Sequence, residues 1–365
     1  MEYIRLKDIA VITMGQSPDS FTYNSERCGM PFYQGNTDFG EVYPTARVWC
    51  NSPKKIANKN DILISVRAPI GALNYAKENC CIGRGLAAIT IEDDIERNFI
   101  YHFLKAKNQE IKDKGTGSTF KAIGKSVLEE LKVPIFNNEQ KLLSMKLMDS
   151  LESTIRQRKN QLQLLDNLIK ARFVEMFGDP ATPGVKFKTC KLGKVADVKS
   201  GHRVFTTEFV DEGVPFYRGT EIGVLASGQQ PEDPYRISME HYLKIASDDS
   251  KPLRGDLLLP SICNKGQVWM VNTDEPFYYK DGRVLCISPD RSVFDSRYLQ
   301  FYMKMRTEAE YPKLGSGSTF AEFKIFQLKE LEVDIPPMNA QKSFDLFVDQ
   351  VDKSKYDDIR VEYKY

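Results

Sequence analysis

At 365 residues, 41% of them apolar and 28% charged, the chain is long enough for two ordinary hydrophobic cores and too apolar to be disordered. Its formal net charge of +1 excludes a simple, strongly basic, non-specific nucleic-acid binder, because such binding comes mainly from phosphate neutralisation, yet leaves room for a binder whose partners supply part of the cationic surface. Seven scattered cysteines fit neither a zinc spacing nor a disulfide framework, and no stretch approaches the roughly 18 apolar residues needed to cross a bilayer, so a cytoplasmic protein with no membrane partner is expected.

In chain order the main features occur twice. Leu6-Lys7-Asp8-Ile9-Ala10, followed by Gly15, is answered by Leu192-Gly193-Lys194-Val195-Ala196, followed by Gly201. Pro31-Phe32-Tyr33-Gln34-Gly35-Asn36 is answered by Pro215-Phe216-Tyr217-Arg218-Gly219-Thr220, and Asp61-Ile62-Leu63-Ile64 by Asp256-Leu257-Leu258-Leu259. Gly83-Arg84 is set against Gly282-Arg283. Short β-branched and aromatic runs between Gly, Pro, Asn and Asp predict a strand-rich domain with many loops in each repeat, with 62–66 and 257–259 the clearest strands. Segments 98–107 and 296–306 carry Phe99, Tyr101, Phe103 and Leu104, and Tyr298, Leu299, Phe301 and Tyr302, at helical spacing; they are expected to be core-facing helices.

The clearest echo follows. Gly115-Thr116-Gly117-Ser118-Thr119-Phe120 returns as Gly315-Ser316-Gly317-Ser318-Thr319-Phe320, and Leu131-Lys132-Val133-Pro134-Ile135 as Leu331-Glu332-Val333-Asp334-Ile335. The offset between copies varies from 184 to 200, as loops of unequal length on a shared scaffold require. A tandem duplication is the economical explanation, and the period is far too long for a solenoid.

After each glycine-serine motif the pattern becomes helical. From Asn138 to Phe177 there is no Pro or Gly, and Gly178-Asp179-Pro180 supplies a stop. Met148, Leu151, Ile155, Arg158, Leu162, Leu165, Ile169, Arg172 and Met176 alternate steps of three and four, the seam of a coiled coil. Such a helix would reach about 55–60 Å and act as a spacer. Leu151, Ile155, Leu162, Leu165 and Ile169 are the expected partner-binding positions, and Asp at Leu162 and Leu165 is expected to break assembly while leaving both globular domains folded. Residues 339–365 offer a second, shorter helix with Phe344, Phe347, Val348, Val351 and Ile359 as apolar contacts.

These features in this order resemble the specificity subunit of type I restriction-modification systems: a twofold repeat, a G-[ST]-G-S-T-F loop, an [LV]-x-[VI]-P-like strand, a long Gln-Lys helix and the Phe177-Gly178-Asp179-Pro180 ending. The resemblance covers essentially the whole chain. It implies an α+β fold with two target-recognition domains, 1–137 and 179–337, separated by a conserved central helix, 138–178, and followed by a conserved C-terminal helix, 338–365, the two helices antiparallel. It implies a non-catalytic, cofactor-free protein whose domains each read one half of a bipartite duplex DNA site, and whose helices dock two methyltransferase subunits that the restriction/translocase subunits join. The chain departs from the family at its end: 37 residues run from Lys141 to Phe177 but 24 from Lys342 to Tyr365, with no second Phe-Gly-Asp-Pro.

The residues carry their own argument for DNA. Gly-rich loops with Ser and Thr present N–H groups and hydroxyls without bulk, which suits phosphate oxygens. This makes Ser118, Thr119 and Lys121 candidates in the first repeat, and Ser318, Thr319 and Lys324 in the second. The same glycines would also serve as a turn into the next helix. Side chains that read bases should stand where the copies differ on a common frame, which sets Gln34, Asn36 and Arg67 against Arg218, Thr220, Asn264 and Lys265. Arg84 and Arg283, at matched positions, are expected to make shared phosphate or structural contacts. Both domains addressing one groove face would put the half-sites roughly 34–36 Å apart.

Catalytic readings find no support. Neither a cofactor-binding glycine motif nor an Asn/Asp-Pro-Pro-aromatic tetrapeptide is present, and Gly124-Lys125-Ser126 lacks the glycine that a phosphate loop needs five positions upstream, where Thr119 stands. It is expected to be a turn and helix start. His102, His202 and His241 are isolated in sequence, and the Asp61 and Asp256 pair is explained by turn chemistry. Two other readings stay open: a stand-alone sequence-specific DNA-binding regulator derived from such a subunit, and a protein-protein scaffold without DNA contact.

Overall fold

A computed structural model describes residues 2–117, 121–314 and 321–362, without the side chains of 356–362. Two compact units divide the chain, Met1–Arg158 and Lys159–Tyr365, and the division falls inside the central helix, Asn138–Phe177.

The first unit is built on a four-stranded antiparallel sheet in the order Val11–Met14, Leu86–Thr90, Ile62–Ser65, Leu73–Tyr75. Its central strands are apolar on both faces because each face has its own core. Ile62, Ile64, Ala87 and Ile89 point into one cluster, with Phe99, Ile100 and Leu104 of helix Asp94–Ala106. Leu63, Leu86 and Ala88, one residue out of phase, point into a second. The two-residue period of a strand makes that division. A five-stranded sheet lies beyond, within which Met30–Tyr33 and Cys80–Ile82 pair in parallel. Tyr3–Arg5 and Lys132–Pro134 form a separate two-stranded ribbon.

The second unit repeats this plan. Ala196–Ser200, Val284–Pro289, Leu257–Pro260 and Trp269–Met270 make the antiparallel sheet. Leu257, Leu259, Leu285 and Ile287 face one core, and Leu258, Val284 and Cys286 the other. Val214–Tyr217 pairs in parallel with Tyr278–Tyr279, and Thr189–Lys191 with Glu332–Asp334 forms the ribbon. Even the turn before the central strand is duplicated. Asp61 accepts from the Asn58 N–H at 2.8 Å and the Thr90 hydroxyl at 2.9 Å, and Asp256 from the Leu253 N–H at 2.9 Å and the Ser288 hydroxyl at 2.8 Å.

The central helix ends as its sequence requires. Gly178 takes φ +89°, its N–H bonds the Val174 carbonyl at 2.9 Å, and the Pro180 carbonyl accepts from buried Arg306 at 3.0 Å. Within the second unit its last turns run antiparallel to the C-terminal helix, Met338–Glu362. Phe173 meets Phe344, Arg172 covers Phe347, and Lys355 reaches Asp166 at 2.8 Å, so one helix ascends as the other descends.

This packing corrects the seam. Ile169 is 3% exposed and lies in the second unit's core with Phe173 and Phe177, while Leu165 packs against that core. Ile169 is therefore a core residue, not a free docking position, and Asp at Leu165 would disturb the fold itself. Leu162 is half-buried, whereas Leu151 and Ile155 are 50% and 54% exposed.

Candidate nucleic-acid interface

In the first unit, loops converge at one end of the main sheet. The Val66 N–H donates to the Gly85 carbonyl at 2.9 Å, Ile123 to Val66 at 2.9 Å, Ala68 to Lys121 at 3.1 Å and Gly83 to Tyr33 at 2.8 Å. These bonds bring together the segments carrying Gln34, Asn36, Arg67, Arg84 and Lys121. A Cβ on Gly85 would stand 2.2 Å from the Gln34 carbonyl oxygen, so glycine is what lets the two loops touch. Gln34, Arg67, Arg84 and Lys121 are exposed and Asn36 is half-buried.

Three of these four bonds recur in the second unit. Ser261 donates to Arg283 at 2.8 Å, Phe323 to Ser261 at 2.7 Å and Lys280 to Tyr217 at 2.9 Å. Backbone position therefore equates Val66 with Ser261, Ile123 with Phe323, Gly83 with Lys280, and Gly85 with Arg283. This corrects the matching of Arg84 with Arg283. The turn into the strand is one residue longer in the second unit: Leu86 bonds back to Gly83 at 2.9 Å, but Val284 bonds back to Lys280 at 3.0 Å. Arg283 thus stands where the first unit has a glycine, and the arginines are not shared contacts on a common frame.

The side chains differ as sharply as the backbones agree. Arg218, Thr220, Ser261, Gln267, Lys280 and Arg283 line a groove of about 660 Å³. Arg218 forks onto Glu221 at 3.1 and 2.7 Å and lies 4.5 Å from the Tyr235 ring centroid. Burial pushes the Glu221 carboxyl up, but the side-chain and backbone donors of Arg218 outweigh it and hold the group below the usual carboxylate range. Arg283 donates to Glu322 at 3.0 Å, Lys324 pairs with the same carboxylate, and Lys280 with Asp281 at 2.5 Å. The Lys324 hydrogen bond, opposed by burial, holds Glu322 below its ordinary value. Among the described residues no ion pair joins Arg67, Arg84 or Lys121 to a carboxylate.

Asn264 and Lys265 occupy the loop after Ser261, where the Lys265 N–H donates to the Gln267 side chain at 3.1 Å and Gln267 approaches Asn264 at 3.5 Å. Lys265 faces a second cleft, of about 350 Å³, that Gln267 shares with the first. Ser118, Thr119, Ser318 and Thr319 lie outside the described residues. Sequence reasoning missed Gln267, Lys280, Tyr235, Glu221 and Glu322. Only Lys280 carried a signal, standing two residues before Gly282, the glycine that the sequence alone sets against Gly83.

Gly124-Lys125-Ser126 is a helix start, Lys125–Glu129. His102 faces Asp149 at 3.3 Å, His202 faces Asp248 at 2.7 Å and His241 faces Glu208 at 3.6 Å. His202 and His241, distant in sequence, share one cleft of about 610 Å³. Among the described residues no group of three or more His, Cys, Asp and Glu could hold a metal ion, and no helix is long and apolar enough to cross a membrane.

Comparison with known proteins agrees with the duplication. The family described as "Type I restriction modification DNA specificity domain" matches residues 1–165 and again 184–359. The putative type I restriction enzyme MjaX specificity subunit of Methanocaldococcus jannaschii is 42% identical over 156 residues, 42% of this chain and 37% of that protein. The MjaVIII specificity subunit of the same organism is 21% identical over 374 residues, 94% of this chain and 84% of that protein. Among solved structures, the HsdS subunit from Thermoanaerobacter tengcongensis is 39% identical over 42% of this chain and 38% of that one, at a TM-score of 0.39. The match to the MjaX subunit thus spans well under half of that relative's length. With the family matched separately over each repeat, the chain belongs to the type I restriction modification DNA specificity domain family.

Proposed function

We propose that the chain is the DNA sequence-recognition subunit of a type I restriction-modification complex, binding a bipartite duplex site with one half read by each unit. The observation that carries this reading is the repeated set of loop-to-strand hydrogen bonds, one backbone frame that presents Gln34, Arg67 and Arg84 in one unit and Arg218, Arg283 and Gln267 in the other. A frame kept constant with unlike donors and acceptors on it is what reading two different half-sites demands. The segments 1–137 and 179–337 would be the recognition domains, with 138–178 and 338–365 as the conserved helices.

On this reading the subunit does no chemistry of its own. Methyltransferase subunits, two in the full assembly, dock on the conserved helices, and restriction subunits join the complex in the cytoplasm. The exposed Leu143, Leu147, Leu151 and Ile155 of the central helix support an apolar partner there. The test is to co-express the chain with the methyltransferase encoded beside it and map methylated bases across the host DNA. A split motif with a fixed gap is expected; a short continuous palindrome, or no new methylation, overturns the reading.

A further inference from the structure

The two recognition frames differ in one respect that their shared hydrogen bonds make comparable. Ile123 and Phe323 are equivalent, so the residue before each, Ala122 and Glu322, stands at the same place. In the first unit Ala122 lies opposite Arg67 across an antiparallel bridge, and no carboxylate neutralises Arg67 or Lys121 among the described residues. In the second, the Glu322 carboxylate holds Arg283 at 3.0 Å and Lys324 more closely, and receives the Ser261 hydroxyl at 3.4 Å. Its side chain is 22% exposed, whereas those of Arg283 and Lys324 are 62% and 54% exposed. The acid therefore sits behind the two cations it holds.

We propose that Glu322 is a specificity-determining residue of the second unit: its carboxylate occupies Arg283 and Lys324, which would otherwise grip any DNA phosphate, so these two cations contribute little to sequence-independent binding. The inference rests on the DNA-recognition reading above. An exposed ion pair is worth only about 0–1 kcal/mol, weak enough for a well-placed phosphate or base edge to exchange for the carboxylate. Yet Glu322 leaves a local charge of +1 where two free cations would give +2, and non-specific affinity grows with each cation free to meet a phosphate. Ala122 applies no such restraint. Arg67 and Lys121 are then free to grip any phosphate, whereas Arg283 and Lys324 answer chiefly to a site that displaces Glu322.

The test uses the full chain, a random-sequence 40-base-pair duplex pool, and the variants Glu322→Gln and Ala122→Glu, each checked by thermal melting. Binding is measured across a salt series, and the bound fraction of the pool is sequenced after selection. Glu322→Gln is expected to tighten binding to the unselected pool by about 3–10-fold at low salt and to steepen the log–log salt slope by about one. It should erode the sequence preference of one half of the selected motif and spare the other. Ala122→Glu is expected to weaken binding to the unselected pool by a similar factor. A folded Glu322→Gln chain with unchanged affinity, slope and motif overturns the proposal while leaving the DNA reading intact. A wild-type chain that binds no duplex even at low salt overturns the DNA reading itself.

Discussion

Phe173 meets Phe344 edge to face, ring centroids 5.2 Å apart and both side chains fully buried. That contact makes the last turns of the central helix a wall of the second unit's core. Phe173→Ala should therefore cost about 3–5 kcal/mol. Asp at Leu151 or Ile155, on the exposed part of the same helix, should change stability by less than about 1 kcal/mol while weakening capture of the co-expressed methyltransferase. Chemical denaturation paired with co-purification separates the two. A stable Phe173→Ala chain would contradict the packing.

The buried aspartates should rank by what they hold. Asp256 accepts from the Leu253 N–H, the Ser288 hydroxyl and Arg291 at 3.0 Å, whereas the Asp61 carboxylate accepts from the Asn58 N–H and the Thr90 hydroxyl. Asp256→Ala strands two neutral donors of the same kind and also removes the ion-pair partner of Arg291, which is 44% exposed and keeps its bonds to the Gly255 and Arg254 carbonyls. It should cost about 2–4 kcal/mol, up to about 1 kcal/mol more than the loss at Asp61. Asp61→Ala strands two neutral donors and should cost about 2–3 kcal/mol. Urea midpoints for the two variants check the order, and equal losses would refute it.

Thiol chemistry follows burial. Burial pushes the Cys80 thiol up to about 12, Cys81 to about 11, Cys263 to about 11 and Cys286 to about 12. At pH 8 these four should resist a thiol reagent until the chain unfolds, while exposed Cys28 reacts at once. The raised values also give a sign. The folded thiols stay protonated where unfolded ones ionise, so their contribution is fully present below about 9 and is lost as pH rises toward 11–12. A stability profile that climbs across that alkaline range would rule this out.

Unpaired cations should govern salt dependence. Arg67→Glu, Arg84→Glu and Lys121→Glu are each expected to weaken duplex binding at low salt and to lower the salt slope by about one. Arg218, already forked onto Glu221, should affect which sequence is bound more than the slope. Equal slope changes from Arg218→Gln and Arg67→Glu would contradict that division.

The duplication, both central strands, the aromatic helices and the long helix with its Gly178 stop were legible in the sequence, because each depends on local periodicity or on one residue's backbone preference. The pairing of repeats was legible at Gln34 and Arg218, which follow the matched Phe-Tyr anchors. It failed at Arg84 and Arg283, because a one-residue insertion in the turn shifts the register, and two Gly-Arg pairs look alike whatever carbonyl they present.

Linear pattern established two copies of one α+β scaffold and the family to which they belong, since strand and helix periods repeat faithfully even as loops diverge. Tertiary structure alone decided that Ile169 is core, that Tyr235 lies under Arg218, and that Glu322 holds Arg283 and Lys324. Those partners come from different elements or from opposite ends of a repeat, and no periodicity encodes which charged side chains meet once the loops are folded together.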